Sequence, residues 1–194
     1  MAKYIVVTGG AGYIGSHTVI SLVENGYTPV ILDDFRNANR VVVDGLKTIL
    51  QAEPIIHEGD ICDPNFLGSI FEKYEPLSVI HFAAYKAVGE SVAEPLNYYQ
   101  NNISGLVNVL QKMLEFNISN FVFLLDDDAR SFFRIHLPTC PGEHGVCVCR
   151  LGSKSQYYYV STLMKLMRLC FFCDQTVMCS CLEKYLVQIQ TLIN

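Results

Sequence analysis

Strand-like and helix-like arrangements of apolar positions alternate along the first two thirds of this chain. The run Tyr4-Ile5-Val6-Val7 is apolar and β-branched, which predicts a buried strand over about Lys3–Thr8. Apolar positions at helical spacing predict a helix over Tyr13–Asn25, with Gly26 standing where a C-terminal cap belongs. A second strand, Thr28–Asp33, comes next, and then a helix over Arg40–Gln51, against the local strand preference of Val41-Val42-Val43. Pro54–Glu58 reads as the third strand. Asp63-Pro64 sets a cap acceptor before a proline at the first helical position, and Phe66, Leu67, Ile70 and Phe71 then share one buried face. Ser78–Phe82 is a fourth strand, Ala83–Pro95 a long loop, and Leu96–Phe116 a long helix with Val107, Leu110, Met113 and Leu114 inward. Phe121-Val122-Phe123 completes the pattern as a fifth strand, with Leu124-Leu125 as an extension.

This alternation with short links implies an α/β fold, a Rossmann-type doubly wound parallel sheet covered on both faces. Ligands of such sheets bind beyond the carboxyl ends of the strands. The loops Gly9–Gly12, Asp33–Asn37, Asp60-Ile61 and Ala83–Lys86 all fall on that rim and are expected to form one site.

The first of these loops carries recognisable chemistry. In Thr8-Gly9-Gly10-Ala11-Gly12-Tyr13-Ile14-Gly15, the first two glycines permit a tight turn out of the strand. Gly12 leaves bare backbone where a side chain would block a pyrophosphate, and Gly15 lets the helix approach the strand. The helix N-terminus offers free N–H groups and a partial positive charge to an anion. About 20 residues further on, Asp33-Asp34 ends the second strand, where a carboxylate holds a ribose 2′-hydroxyl and repels a 2′-phosphate. That selects NAD over NADP. Glycines alone would be an ordinary turn and two aspartates a solvated loop; their coincidence with strand, helix and strand favours a nucleotide site. His57 and His81 lie in apolar strands and read as packed, hydrogen-bonded core residues, and Cys62 as a small buried one.

The formal charge of −5 over 194 residues argues against a nucleic-acid surface. Arg36, Arg40 and Lys47 do gather, but among Asp33, Asp34 and Asp44. A strand that begins within three residues of Met1 leaves no room for a targeting peptide, so the expected compartment is the cytoplasm, with no membrane partner. Composition breaks near residue 123. Residues 1–123 hold one of the eight cysteines and ten of the thirteen glycines, whereas residues 124–194 hold seven cysteines. The expected organisation is a nucleotide-binding domain over 1–123 and an atypical Cys-rich C-terminal tail over 124–194. In the tail, Cys140, His144, Cys147 and Cys149, or Cys170 and Cys173 with Cys179 and Cys181, could suggest zinc. Their C-x-C pairs fit structural zinc poorly, and no metal site is expected.

The first 123 residues resemble the nucleotide-binding half of the UDP-glucose 4-epimerases, within the extended short-chain dehydrogenase/reductase family. Val7–Thr18, Gly59-Asp60-Ile61 and Val79-Ile80-His81-Phe82-Ala83-Ala84 carry the likeness. Lys86-Ala87-Val88-Gly89-Glu90-Ser91-Val92, then Pro95-Leu96, Tyr98-Tyr99 and Asn101-Asn102, narrow it. The resemblance implies NAD as cofactor, with backbone N–H groups of Tyr13 and Ile14 on the pyrophosphate. Asp33 and the loop through Asp34 to Asn37 would serve the adenosine ribose, and Asp60 and Ile61 the adenine. Phe82, Ala83, Ala84 and Lys86 would line the pyrophosphate and nicotinamide ribose, and Asn101 would reach the cofactor from the long helix. One departure is Ala84, where the family usually has glycine; its methyl group would crowd the cofactor.

The resemblance also implies an isomerase of galactose metabolism that takes a nucleotide-sugar substrate and assembles as a homodimer. That reaction moves a hydride from sugar C4 to NAD and back to the opposite face of a 4-keto intermediate. It needs a tyrosine base tuned by a lysine four residues later. No tyrosine here has that partner: counting back from Lys154, Lys165 and Lys184 gives Arg150, Ser161 and Ser180. The family's serine run after strand five is replaced by Leu124-Leu125-Asp126-Asp127-Asp128. No catalytic residue is therefore assigned, and the family's sugar-binding region is not recognisable. The expectation is an NAD-binding chain without epimerase activity; the alternative is a non-catalytic nucleotide-binding or interaction module.

Overall fold

The computed structural model describes residues 2–124, 146–150 and 158–160, and the chain divides into two compact units, Met1–Ser119 and Asn120–Asn194. In the first unit, four strands β1 (Tyr4–Thr8), β2 (Thr28–Asp33), β3 (Ile55–Glu58) and β4 (Ser78–His81) run parallel in the order β3-β2-β1-β4. Their register places Val6 beside Val30 and Val79, and Ile31 beside Ile56. Ile5, Val6, Val7, Val30, Ile31, Leu32, Val79 and Ile80 are fully buried, which is why the central strands carry no alternation of polar positions.

Helix α1 (Tyr13–Glu24) links β1 to β2, α2 (Val41–Leu50) links β2 to β3, and α3 (Pro64–Tyr74) links β3 to β4. The first two links step outward in one direction and the third returns past β1. Because each crossover is right-handed, the reversal carries α3 to the opposite face from α1 and α2. Contacts follow this division, α1 against α2 and α3 against α6 (Gly105–Glu115). Asp63 caps α3 as the sequence implies, its carboxylate accepting the Asn65 N–H at 2.8 Å ahead of Pro64. The triple valine does not break α2, since it occupies the first turn, where no preceding turn crowds a branched side chain.

Four expectations are corrected. The segment read as a loop, Ala83–Pro95, contains a short helix α4 (Val88–Ala93). The helix read as continuous over Leu96–Phe116 is α5 (Pro95–Tyr99), a π-helical segment Gln100–Ser104 and then α6. With that wider turn inserted, the buried stripe of α6 is Leu106, Val109 and Met113, while Val107 and Leu114 face solvent and Leu110 is half-buried. Phe66 is half-buried rather than enclosed; Leu67, Ile70 and Phe71 are buried as expected.

In the second unit, β5 (Asn120–Leu124) pairs antiparallel with β6 (Val146–Arg150), and β6 with β7 (Tyr158–Val160). Cys147 and Cys149 lie on β6. Cys140, His144, Cys170, Cys173, Cys179 and Cys181 fall outside the described residues, as do Lys154, Lys165 and Lys184. Among the described residues there is no cluster of metal-ligating side chains, and no helix is long and apolar enough to cross a membrane.

Two glycines provide opposite tests of this packing. A β-carbon on Gly15 would overlap the Gly9 carbonyl oxygen, whereas one on Gly45, inside α2, would meet open space. Gly15→Ala is expected to destabilise the chain by about 1–3 kcal/mol through overpacking. Gly45→Ala should stabilise it by about 0.5–1 kcal/mol through helix propensity. Urea denaturation midpoints measure both.

Candidate functional site

The site forms where strand order reverses, between β1 and the strands on either side of it. Ladder-like hydrogen bonds continue past the strand ends and set the rim loops side by side: Gly9 N–H to the Leu32 carbonyl at 2.8 Å, Gly59 N–H to Asp33 at 3.1 Å, and Phe82 N–H to Thr8 at 2.9 Å. Gly9 has φ +68°, and a β-carbon there would stand 2.7 Å from the Ala83 nitrogen, so the β1 and β4 loops touch through bare backbone. Gly12 takes the N-cap position of α1 without a side-chain cap. The N–H groups that follow, on Tyr13, Ile14 and Gly15, have no acceptor four residues back within the helix. They make up the first turn that follows the glycine loop. Tyr13 is exposed, edge-on to His17.

Asp33 closes β2 with its carboxylate fixed at both oxygens. Oδ2 accepts the Ala11 N–H and Oδ1 the Phe35 N–H, each at 3.0 Å. Burial pushes this carboxyl above its usual range, against the two backbone donors that favour its ionised form. A half-desolvated carboxylate with lone pairs left over is suited to neutral hydroxyl donors. Asp34 accepts the Arg36 N–H at 2.9 Å and pairs with the Arg36 Nε at 3.3 Å.

Two clefts open on the rim. A smaller one, about 120 Å³, gathers ten of the residues singled out from the sequence: Gly9, Gly12, Asp33, Asp34, Asn37, Ile61, Phe82, Ala83, Ala84 and Asn101. A larger one, about 460 Å³, shares Asn37, Tyr85 and Asn101 and adds Asp60, Arg36 and Cys62. Tyr13, Ile14, Gly15 and the exposed Lys86 line neither cleft. Burial raises the Asp60 carboxyl, but the Cys62 N–H at 2.8 Å and the Arg36 guanidinium at 2.7 Å outweigh it and hold it below the usual range. The Cys62 thiol is pushed up to about 11, by burial first and then by Asp60, and so stays a thiol at neutral pH.

Other participants were not evident from sequence. Asn102 grips the β4 loop with both ends of its amide: Oδ1 accepts the Tyr85 N–H at 2.8 Å and Nδ2 donates to the Tyr85 carbonyl at 3.0 Å. The Tyr98 hydroxyl accepts the Ala87 N–H at 3.1 Å and lies 2.7 Å from Glu90 Oε2. Arg36 reaches Tyr85 as well as Asp34 and Asp60, tying three rim loops together. The one available signal was the basic residue inside an acidic loop. Beneath the rim, His81 is buried on β4, its Nδ1 2.7 Å from the Thr8 hydroxyl, the core histidine that its apolar strand implies. His57 shares a hydrogen bond with the Tyr74 hydroxyl at 2.8 Å.

Fold and rim together define a Rossmann-type α/β domain with two clefts at its switch point. The chain belongs to the GDP-mannose 4,6 dehydratase family, of the extended short-chain dehydrogenase/reductases, whose model matches residues 6–125. It is 42% identical over 145 residues to the UDP-glucose 4-epimerase of Schizosaccharomyces pombe, covering 72% of this chain and 41% of that one. It is 46% identical over 129 residues to the human UDP-glucose 4-epimerase, 63% of this chain and 37% of that protein. Among solved structures, the Stenotrophomonas maltophila epimerase with bound NAD and formylated UDP-arabinopyranose superposes with a TM-score of 0.63 at 35% identity, covering 66% of this chain and 38% of that one. The Bifidobacterium longum epimerase in complex with NAD+ and UDP gives 0.63 at 34%, with the same coverage. The chain thus spans well under half the length of these relatives.

Burial takes the His81 imidazole down to about 4, from about 6.5 unfolded. The unfolded chain therefore binds the proton more readily, so this residue's contribution is complete above about pH 6.5 and is lost as pH falls towards 4. The expected loss is about 2–3 kcal/mol between pH 7 and 4. Histidine proton NMR should find the His81 ring neutral at pH 5.5, and a ring that titrates near 6.5 in the folded chain would contradict this.

Proposed function

We propose that residues 1–123 bind NAD in the manner of the UDP-glucose 4-epimerases, and that this chain does not itself interconvert UDP-glucose and UDP-galactose. The observation that carries the binding half is the Asp33 carboxylate, fixed by Ala11 and Phe35 beside the glycine loop and lining the smaller cleft. The chemistry of the lining suits the cofactor. Gly9 and Gly12 line it with bare backbone, and the first turn of α1 meets the pyrophosphate with unpaired N–H groups. Asp33 accepts from ribose hydroxyls. Asp60 and Ile61 serve the adenine, and Asn101 approaches from the π-helical segment. The Ala84 methyl narrows the same cleft.

NAD, when bound, supplies a hydride acceptor; the protein must supply the proton transfer and the grip on the sugar. A positioned base is worth about 10²–10⁴ in rate. The Tyr-x-x-x-Lys pair that provides it is missing from the sequence, and Leu124-Leu125-Asp126-Asp127-Asp128 replaces the serines. Residues 124–194 are read as a divergent tail that offers neither group.

Isothermal titration of the purified chain should show NAD binding at least about tenfold tighter than NADP, and Asp33→Ala should erase most of the difference. Equal affinities in the unmodified chain would refute the assignment of Asp33. In a coupled assay on protein free of host epimerase, no turnover of UDP-galactose is expected. Turnover that Tyr157→Phe, Tyr158→Phe or Tyr159→Phe abolishes would overturn the inactive reading.

A further inference from the structure

The loop after β2 carries two arginines, and both are committed to carboxylates. Arg40 pairs with Glu58 at 2.6 Å, its guanidinium over the Phe35 ring at 4.6 Å. Arg36 uses Nε on Asp34, Nη2 on Asp60 and Nη1 on the Tyr85 hydroxyl. Phe35, at φ +56°, is a non-glycine residue in the left-handed region. There the chain doubles back through two successive turns, Asp33 accepting from Phe35 and Asp34 from Arg36. Arg36 stands three residues along the chain from the carboxylate assigned to the ribose. An arginine at this end of a dinucleotide site is the residue type that accommodates a 2′-phosphate. Here each of its three nitrogens already has a partner. The corner holds four carboxylates, Asp33, Asp34, Glu58 and Asp60, against two guanidinium groups. A phosphate carrying about −1.5 to −2 charges would meet net negative potential and an arginine with three of its five N–H donors already engaged.

We propose that Arg36 is a second specificity-determining residue of this site: its ion pairs with Asp34 and Asp60 withhold it from a 2′-phosphorylated dinucleotide, and their loss converts it into a 2′-phosphate ligand. The inference rests on the NAD-binding reading above. It differs from simple repulsion by Asp33, because it assigns the discrimination to an arginine that is present and held out of use. Arg36 is here a residue whose partners decide its role, not one whose charge decides it.

The test measures NAD and NADP dissociation constants by calorimetry for four full-length proteins: the unmodified chain, Asp33→Asn, Asp33→Asn with Asp34→Asn and Asp60→Asn, and that triple variant with Arg36→Met. From the single to the triple variant, the affinity for NADP relative to NAD should rise by about tenfold, as a charge-assisted contact would give. Adding Arg36→Met should reverse the rise, and the rise should shrink at high salt. Should the triple variant fail to fold, Asp34→Asn with and without Arg36→Met makes the same comparison, with a rise of about threefold expected and then reversed. A rise that survives Arg36→Met, or no rise at all, overturns the inference while the NAD assignment stands. An unmodified chain that binds neither dinucleotide overturns both.

Discussion

The carboxylate of Asp33 is the joint on which the rim depends. One oxygen takes the Ala11 N–H of the glycine loop and the other the Phe35 N–H of its own loop, while its backbone carbonyl takes the Gly59 N–H. Three of the four loops above the sheet are therefore referenced to a single residue at the end of β2. The fourth is referenced through Gly9, whose backbone lies against Ala83. Side chains on four separate strands share one site because every loop leaves the sheet at the same edge and is tied at once to its neighbour.

The floor of the site is neutral and its walls are charged. Thr8 and His81 face each other across β1 and β4 and satisfy one another, with the imidazole kept uncharged by burial. Charge at the rim comes from Asp33, Asp34 and Asp60, with Arg36 set between the last two. The N-terminus of α1 adds partial positive charge at the glycine loop, apart from the carboxylates that follow β2.

Much of the fold was legible because its strands are buried on both faces and its helices announce their ends. Runs such as Val30-Ile31-Leu32, and the Asp63-Pro64 cap, leave little choice of conformation. The long helix was not legible in the same way. Leu106, Val107, Val109, Leu110, Met113 and Leu114 are apolar around more than half of α6, so composition does not say which stripe faces the sheet. The π-helical segment shifts the phase, and no local residue preference marks such a segment. Helix α4 was hidden by Gly89 and by β-branched neighbours, which read as loop. Among the candidate residues, Asp33 and the glycines stand out by their spacing around the first strand–helix–strand unit. Arg36, Tyr85 and Asn102 do not, because their roles arise only when the β2, β3 and β4 loops meet in space.

Asn102 shows what that meeting requires. Its amide presents a donor and an acceptor to the N–H and carbonyl of Tyr85, the pair of bonds an adjacent strand would have offered. The β4 loop is thereby stitched to a helix as though to a sheet edge, and the stitch holds only at one rotation of that helix. The wide turn at Gln100–Ser104 is thus a spacer in the mechanical sense: drawing it back to an ordinary α-helical turn would swing the Asn102 amide around the axis and away from Tyr85. In this domain a helix irregularity is part of the alignment of the loop it faces, and a single-residue deletion within it would act on the cleft rather than on the helix.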